Sequence, residues 1–253
     1  MSSEESPIKS NNIKKLLIFI RHGEKIIKLG IKPKCGRFDS ELSPVGINQS
    51  FLSGQKFLSQ LKKYNFADIS PSEIHIICSP YMRTLQTATH FLKGIESLNF
   101  FNNKDNISNL YNISIEYGIG EILNKSKLKE DEEVPKNFLN FLNNPNFYNF
   151  DEELKKLKLN ILNNYEFPTK KESCHELYER CKKYIDEELI NFDKDNKYKI
   201  IIIISHSGPI QSMMKRLGFY VENVHNIAFS DQYYFDISEG IDKAKFIEKV
   251  NFK

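Results

Sequence analysis

No apolar run in this chain approaches a membrane span, no C-x-x-C pair marks a zinc or redox site, and no charge of one sign prevails. Each absence removes a class of function. A spanning helix needs about 20 predominantly apolar residues, so none is expected. The stretch Met1 to Lys15 is polar and partly acidic, without the apolar centre of a signal peptide, so a soluble cytoplasmic protein is expected. The four cysteines, Cys35, Cys78, Cys174 and Cys181, follow no metal or disulfide spacing, and Cys78 sits in an apolar run where inert burial is expected. Basic residues number 36 against 33 acidic ones, a net charge of +3, with the lysines scattered among glutamates. That leaves no basic stripe for nucleic acid. No segment repeats, and 253 residues of which 40% are hydrophobic can bury one sizeable core without demanding a second domain.

What is present is an alternation of apolar runs and helical patterns. Leu16 to Ile20, Ile74 to Cys78 and Ile200 to Ile204 read as buried strands. Ser43-Pro44 supplies a helix cap and a first-turn proline, and Ile47, Phe51, Gly54, Leu58 and Leu61 then recur at helical spacing. Ser173-Cys174-His175-Glu176 reads as a capping box, opening a helix with Leu177, Cys181, Tyr184 and Ile185 on its apolar face. A further helix carries Ile210, Met213, Met214 and Leu217 inward, and Asp231 to Ile237 and Lys245 to Val250 read as late strands. The pattern predicts an α/β fold: a doubly wound, mostly parallel sheet flanked by helices, with antiparallel pairing at one edge. Residues 1–13 are expected to be a flexible terminus and 14–253 one domain. An insertion over about 122–170, read as lysine- and glutamate-rich helical pieces, could cap the pocket or remain solvated. The asparagine-rich Leu98 to Asn112 is expected to be a surface excursion.

Three of the strands end in chemistry. Arg21-His22-Gly23-Glu24 follows the first, Ser79-Pro80 with Arg83 and Thr87-Ala88 follows the second, and Ser205-His206-Ser207-Gly208 ends the last. In parallel sheets ligands bind at the carboxyl ends of strands, so these segments are expected to converge on one pocket. Arg21 and Arg83 are planar forks suited to an anion, and Pro80 is expected to open the helix that carries Arg83 at its positive end. His22 could act as a nucleophile or a base. His75, His90, His175 and His225 are read as structural. A metal ion is not expected between His22 and His206, because two arginines would repel it.

Together these segments resemble the histidine phosphatase superfamily, the phosphoglycerate mutase-like proteins, in order and spacing from about Leu16 to about Leu217. The resemblance implies that His22 becomes phosphorylated, that Arg21 and Arg83 grip the phosphoryl oxygens, and that His206 donates a further hydrogen bond to them. It also implies a carboxylic acid after the third core strand to protonate the leaving group. Glu116 and Glu121 both qualify; Glu121 is preferred because two glycines before it let the chain turn towards the site. Fixed cations would stabilise the transferring phosphoryl group, so no cofactor and no metal is expected.

Glycolytic mutases of the family place a serine after Arg-His-Gly-Glu, where this chain has Lys25. Arg-His-Gly-Glu-Lys with the stretch Arg37 to Gly46 looks more like the phosphatase branch that includes the suppressors of T-cell receptor signalling and ecdysteroid-phosphate phosphatase. Lys25, Lys34 and Arg37 are expected near the mouth, where Lys25 and Arg37 either read a second anionic group or belong to a solvated lysine-rich loop. The expected activity is phosphomonoester hydrolysis. The alternatives are a phosphoglycerate mutase and a catalytically weak phospho-ligand binding protein. The expected partner is a phosphorylated small molecule or phosphoprotein, with neither nucleic acid nor membrane, and the oligomeric state is left open, a homodimer included.

Overall fold

The computed structural model describes residues 13–34, 38–101, 111–123, 154, 157, 159–162, 165–194, 197–219 and 227–252. Among the described residues seven strands form one sheet: β1 (Leu16–Arg21), β2 (Ile74–Cys78), β3 (Asn112–Glu116), β4 (Leu159–Leu162), β5 (Ile200–Ser205), β6 (Gln232–Asp236) and β7 (Lys245–Val250). Their spatial order is β4-β3-β2-β5-β1-β6-β7. The first five strands are mutually parallel, whereas β6 runs antiparallel to β1 and β7 antiparallel to β6. The expected mostly parallel sheet with an antiparallel edge is therefore the observed one.

Side-chain alternation divides the core. Leu16, Ile18 and Ile20 of β1 join Ile200, Ile202 and Ile204 of β5 on one face, beneath α1 (Pro44–Lys63) and α2 (Met82–Glu96). Leu17, Phe19, Ile201 and Ile203 point the other way. They meet α3 (Cys174–Tyr184) and α5 (Ser207–Arg216); a π-helical turn, Ile185–Leu189, continues α3 into the short α4 (Ile190–Lys194). Continuous apolar runs fit strands covered on both faces.

Three expectations need correction. The face of α1 is rotated: Gly46, Ser50, Ser53, Gly54, Phe57, Leu58 and Leu61 are buried, while Ile47 is 36% exposed. Close backbone contact sets that rotation. A Cβ on Gly54 would come within 1.9 Å of the Phe91 carbonyl oxygen of α2, and one on Gly46 within 2.2 Å of the Glu24 carbonyl oxygen. Pro80 does not open α2: the cap is Tyr81, so the proline lies outside, although Arg83 still falls in the first turn. Leu217, the C-cap of α5, is half-buried and packs against the core on the side expected. The insertion is not helical throughout, because β4 extends the sheet by pairing with β3. Most of the insertion, the excursion over 102–110 and the terminus over 1–12 lie outside the described residues.

The capping box at Ser173 and Glu176 forms as expected, with Leu177, Cys181, Tyr184 and Ile185 buried behind it. Among the described residues no helix is long and apolar enough to cross a membrane.

Candidate active site

Two adjacent parallel strands deliver the two histidines. β1 and β5 pair with Arg21 opposite Ser205, so the next residues, His22 and His206, emerge side by side at the carboxyl edge of the sheet. Their ring centroids lie 5.1 Å apart. Both side chains are buried.

His22 Nδ1 lies 2.7 Å from the Gly23 carbonyl oxygen. A carbonyl only accepts, so this contact puts the proton on Nδ1 and leaves the lone pair on Nε2. Burial, reinforced by the Arg83 and Arg21 charges, holds the His22 pKa well below the ordinary 6.5. The ring is thus neutral at physiological pH, the form a nucleophile requires. Gly23 has no room for a side chain, since a Cβ there would come within 2.4 Å of the Gly46 carbonyl oxygen. Its N–H donates to Thr87 Oγ1 at 3.0 Å, and the Thr87 hydroxyl donates to the Arg83 carbonyl at 2.7 Å. The nucleophile loop and the arginine helix are joined through that one hydroxyl.

His206 caps α5 with extended backbone. Its Nε2 is 2.8 Å from Ser79 Oγ, and its Nδ1 is 3.5 Å from Glu121 Oε2. The same Glu121 oxygen lies 3.4 Å from Arg83 Nη2. Arg83 is completely buried, with its guanidinium 4.3 Å from the centre of the Tyr81 ring and its Nη1 3.6 Å from Asp39 Oδ1. Asp39 Oδ1 also accepts from the Met82 N–H at 2.8 Å, at the start of α2. Burial pushes the Asp39 carboxyl up to about 7, even though Arg83 and the Met82 N–H pull it down.

Arg21 donates through Nη1 to the Ile227 carbonyl, and its guanidinium lies 4.2 Å from the centre of the Phe229 ring. That ring is 5.7 Å from His22. The Nε atoms of Arg21 and Arg83 are both buried with no acceptor among the described residues. Buried guanidinium donors normally find a partner, and an anion between these side chains would provide one.

His22, Glu121 and His206 form a group whose potential metal-ligating atoms lie within 4.8 Å of one another. The Arg21 and Arg83 charges beside them make the pocket more favourable to an anion than to a cation.

The structure thus gathers Arg21, His22, Arg83, Glu121 and His206, as expected from the sequence. Glu116 is excluded from the group. Its carboxylate is buried and its Oε1 accepts from the Gly118 N–H at 2.7 Å, and burial raises its pKa to about 7. Lys25 is half-buried and close enough for its charge to act on His22. Lys34 is exposed, with its backbone N–H bonded to Glu41 Oε1 at 2.8 Å. Arg37 and Cys35 lie outside the described residues, as does His225. His75 is structural: its Nε2 is 2.8 Å from Ser114 Oγ, with Phe192 and Tyr198 against the ring. Burial alone raises the Cys78 thiol, as expected for an inert residue.

Sequence reasoning assigned no role to Asp39, Ser79 or Phe229. Asp39 stands in the stretch compared with relatives, but only the fold sets it beside Arg83. Phe229 carries no motif at all.

The profile of the histidine phosphatase superfamily (branch 1) matches residues 17–234, and the chain belongs to that superfamily. Comparison with curated protein sequences finds no significant match. Among solved structures, the fold is similar to that of ecdysone phosphate phosphatase from Bombix mori in complex with tungstate. That match has 15% identity and a TM-score of 0.62, covering 95% of this chain and 96% of that one. It is also similar to phosphoserine phosphatase from Entamoeba histolytica in complex with 3-phosphoglyceric acid, with 20% identity, a TM-score of 0.51 and coverage of 94% and 98%. A mycobacterial glucosyl-3-phosphoglycerate phosphatase in complex with VO3 matches at 14% identity and a TM-score of 0.52, covering 94% and 98%.

Proposed function

We propose that the protein is a phosphomonoesterase that works through a phosphohistidine on His22 and needs no metal. The observation that carries this reading is a neutral imidazole, its Nε2 lone pair available, in a buried pocket with two arginines that each keep an unsatisfied Nε–H. Tungstate and VO3 in the complexes of two neighbours are tetrahedral or phosphate-like oxyanions, which agrees with an anion-binding pocket.

In the proposed reaction His22 Nε2 attacks phosphorus as the ester P–O bond breaks. Glu121, entering protonated, gives its proton to the leaving oxygen. Arg21, Arg83 and His206 stabilise charge on the three phosphoryl oxygens that take no part in bond exchange. Water then attacks phosphorus, passing a proton to Glu121; the N–P bond breaks, orthophosphate leaves and neutral His22 returns. The named substrates of the neighbours share only the phosphate monoester, and that is the class proposed.

The test is phosphate release from a panel of aryl phosphates, phosphosugars, phosphopeptides, nucleotides and phosphoglycerates, with acid-sparing quench to trap label on His22. Hydrolysis with label on His22 is expected. Interconversion of phosphoglycerates without net phosphate release would make the protein a mutase, and binding without turnover would make it a phospho-ligand binding protein.

A further inference from the structure

We infer that Arg180 and Glu172 are positioning residues for Glu121, fixing the geometry of the general acid from outside the pocket. The inference rests on the proposed role of Glu121. The segment that carries Glu121 has little rigidity of its own: Tyr117–Ile119 is a single 3-10 turn, flanked and interrupted by Gly118 and Gly120. Its stiffness comes from side chains elsewhere in the fold.

Arg180 is on α3, 12% exposed, and uses every N–H it has. Nε and Nη2 donate to the two carboxylate oxygens of Glu172, both at 2.8 Å. Nη1 donates to the Gly118 carbonyl at 2.6 Å and the Gly120 carbonyl at 3.3 Å, and Nη2 reaches Gly120 again at 3.2 Å. Five donors meet five contacts, which only a planar fork can arrange. Burial opposes the Arg180 charge, yet Glu172 holds its pKa above the usual value.

Glu172 secures the far side of the same segment. Its N–H donates to the Leu123 carbonyl at 2.8 Å, and its Oε2 is 3.5 Å from the Leu123 N–H. The carbonyl between the two glycines, that of Ile119, accepts from Ser205 Oγ at 2.7 Å, on the residue just before His206. Glu121 therefore stands between two fixed flanks, with its carboxylate 3.5 Å from His206 and 3.4 Å from Arg83. The Leu123–Glu172 contact also ties the residue two positions after the acid to the segment that leads into α3.

The experiment compares Arg180→Lys, which keeps the charge and loses the fork, with Ser205→Ala, which frees the Ile119 carbonyl without leaving a buried charge. Rates are measured on p-nitrophenyl phosphate and on glycerol phosphate, whose alkoxide needs the proton. Arg180→Lys should lower kcat on glycerol phosphate by roughly 10- to 100-fold, and on p-nitrophenyl phosphate by less than about 3-fold. Ser205→Ala should act in the same direction, by a smaller factor. Thermal unfolding identifies any variant that fails to fold; should Arg180→Lys do so, Glu172→Gln, which removes the charge that holds the Arg180 fork, takes its place with the same expected selectivity. Equal losses on both substrates, or no loss in a folded variant, would overturn the inference. If Glu121→Gln itself shows no leaving-group dependence, the general-acid reading falls instead, and the two failures remain distinct.

Discussion

His22 and His206 face each other across 5.1 Å with opposite nitrogens held: Nδ1 of His22 by the Gly23 carbonyl, Nε2 of His206 by the Ser79 hydroxyl. Two identical side chains thereby become chemically different. One keeps its lone pair on Nε2, and the other turns its Nδ1 towards a carboxylate.

That difference predicts the behaviour of His22. Nitrogen-15 NMR of the imidazole should find a neutral, Nδ1-protonated ring at pH 6, because the pKa lies well below 6.5. Half-protonation near pH 6.5 would contradict the assignment. Turnover by His22→Ala should fall by roughly four orders of magnitude or more, and a variant with parental activity would dismiss His22 as the nucleophile.

Arg21 and Arg83 already bring positive charge to the pocket, so exhaustive chelation should leave the rate nearly unchanged. Vanadate should inhibit. Loss of activity in EDTA, restored by one divalent ion, would show that the cationic pocket is insufficient.

Asp39 supplies a pH-dependent check on Arg83. With its carboxyl at about 7 and 3.6 Å from the guanidinium, it is mostly charged at pH 8 and mostly protonated at pH 6. Asp39→Asn retains an acceptor for the Met82 N–H and removes the charge. Orthophosphate should bind several-fold more tightly to the variant than to the parent at pH 8, with the gap narrowing towards pH 6, measured by calorimetry. A gap independent of pH would argue against titration of Asp39.

Glu116 and Glu121 separate by function and by stability. Glu121→Gln should slow alkyl phosphate cleavage by roughly two to four orders of magnitude and p-nitrophenyl phosphate cleavage far less. Glu116→Gln should spare this selectivity and change the stability profile instead. The folded-state pKa of Glu116 is raised from 4.5 to about 7, so the folded protein binds the extra proton. The associated stability is fully present below about 4.5 and is lost as pH rises through about 7, up to roughly 3 kcal/mol. Denaturant unfolding of Glu116→Gln across that window should be flatter than the parent; an identical slope would mean that Glu116 ionises normally.

The apolar runs, the capping box at Ser173 and the strand-end motifs were legible because each is local. An isoleucine run long enough only for a strand, followed directly by Ser-His-Ser-Gly, specifies both a buried element and the polar residue at its exit. Glu121 was legible for a similar reason, as the glycines that turn the chain adjoin it. Helix faces were less secure. The rotation of α1 depends on Gly46 and Gly54 meeting backbone from other elements, and apolar spacing contains nothing about that approach.

Arg180 left a faint signal, a permanent charge beside Cys181 and three residues after Leu177 on the helix's apolar stripe, which implies a buried partner without naming it. Tertiary structure alone decided that the partner is Glu172, that β4 returns from the insertion to the sheet, and that Asp39 and Glu121 flank one arginine. It also set β5 between β1 and β2, which brings the His22 N–H within 3.0 Å of the Ser205 carbonyl. The sequence determined which side chains the strands would release at their ends; the order of the strands determined which of them meet.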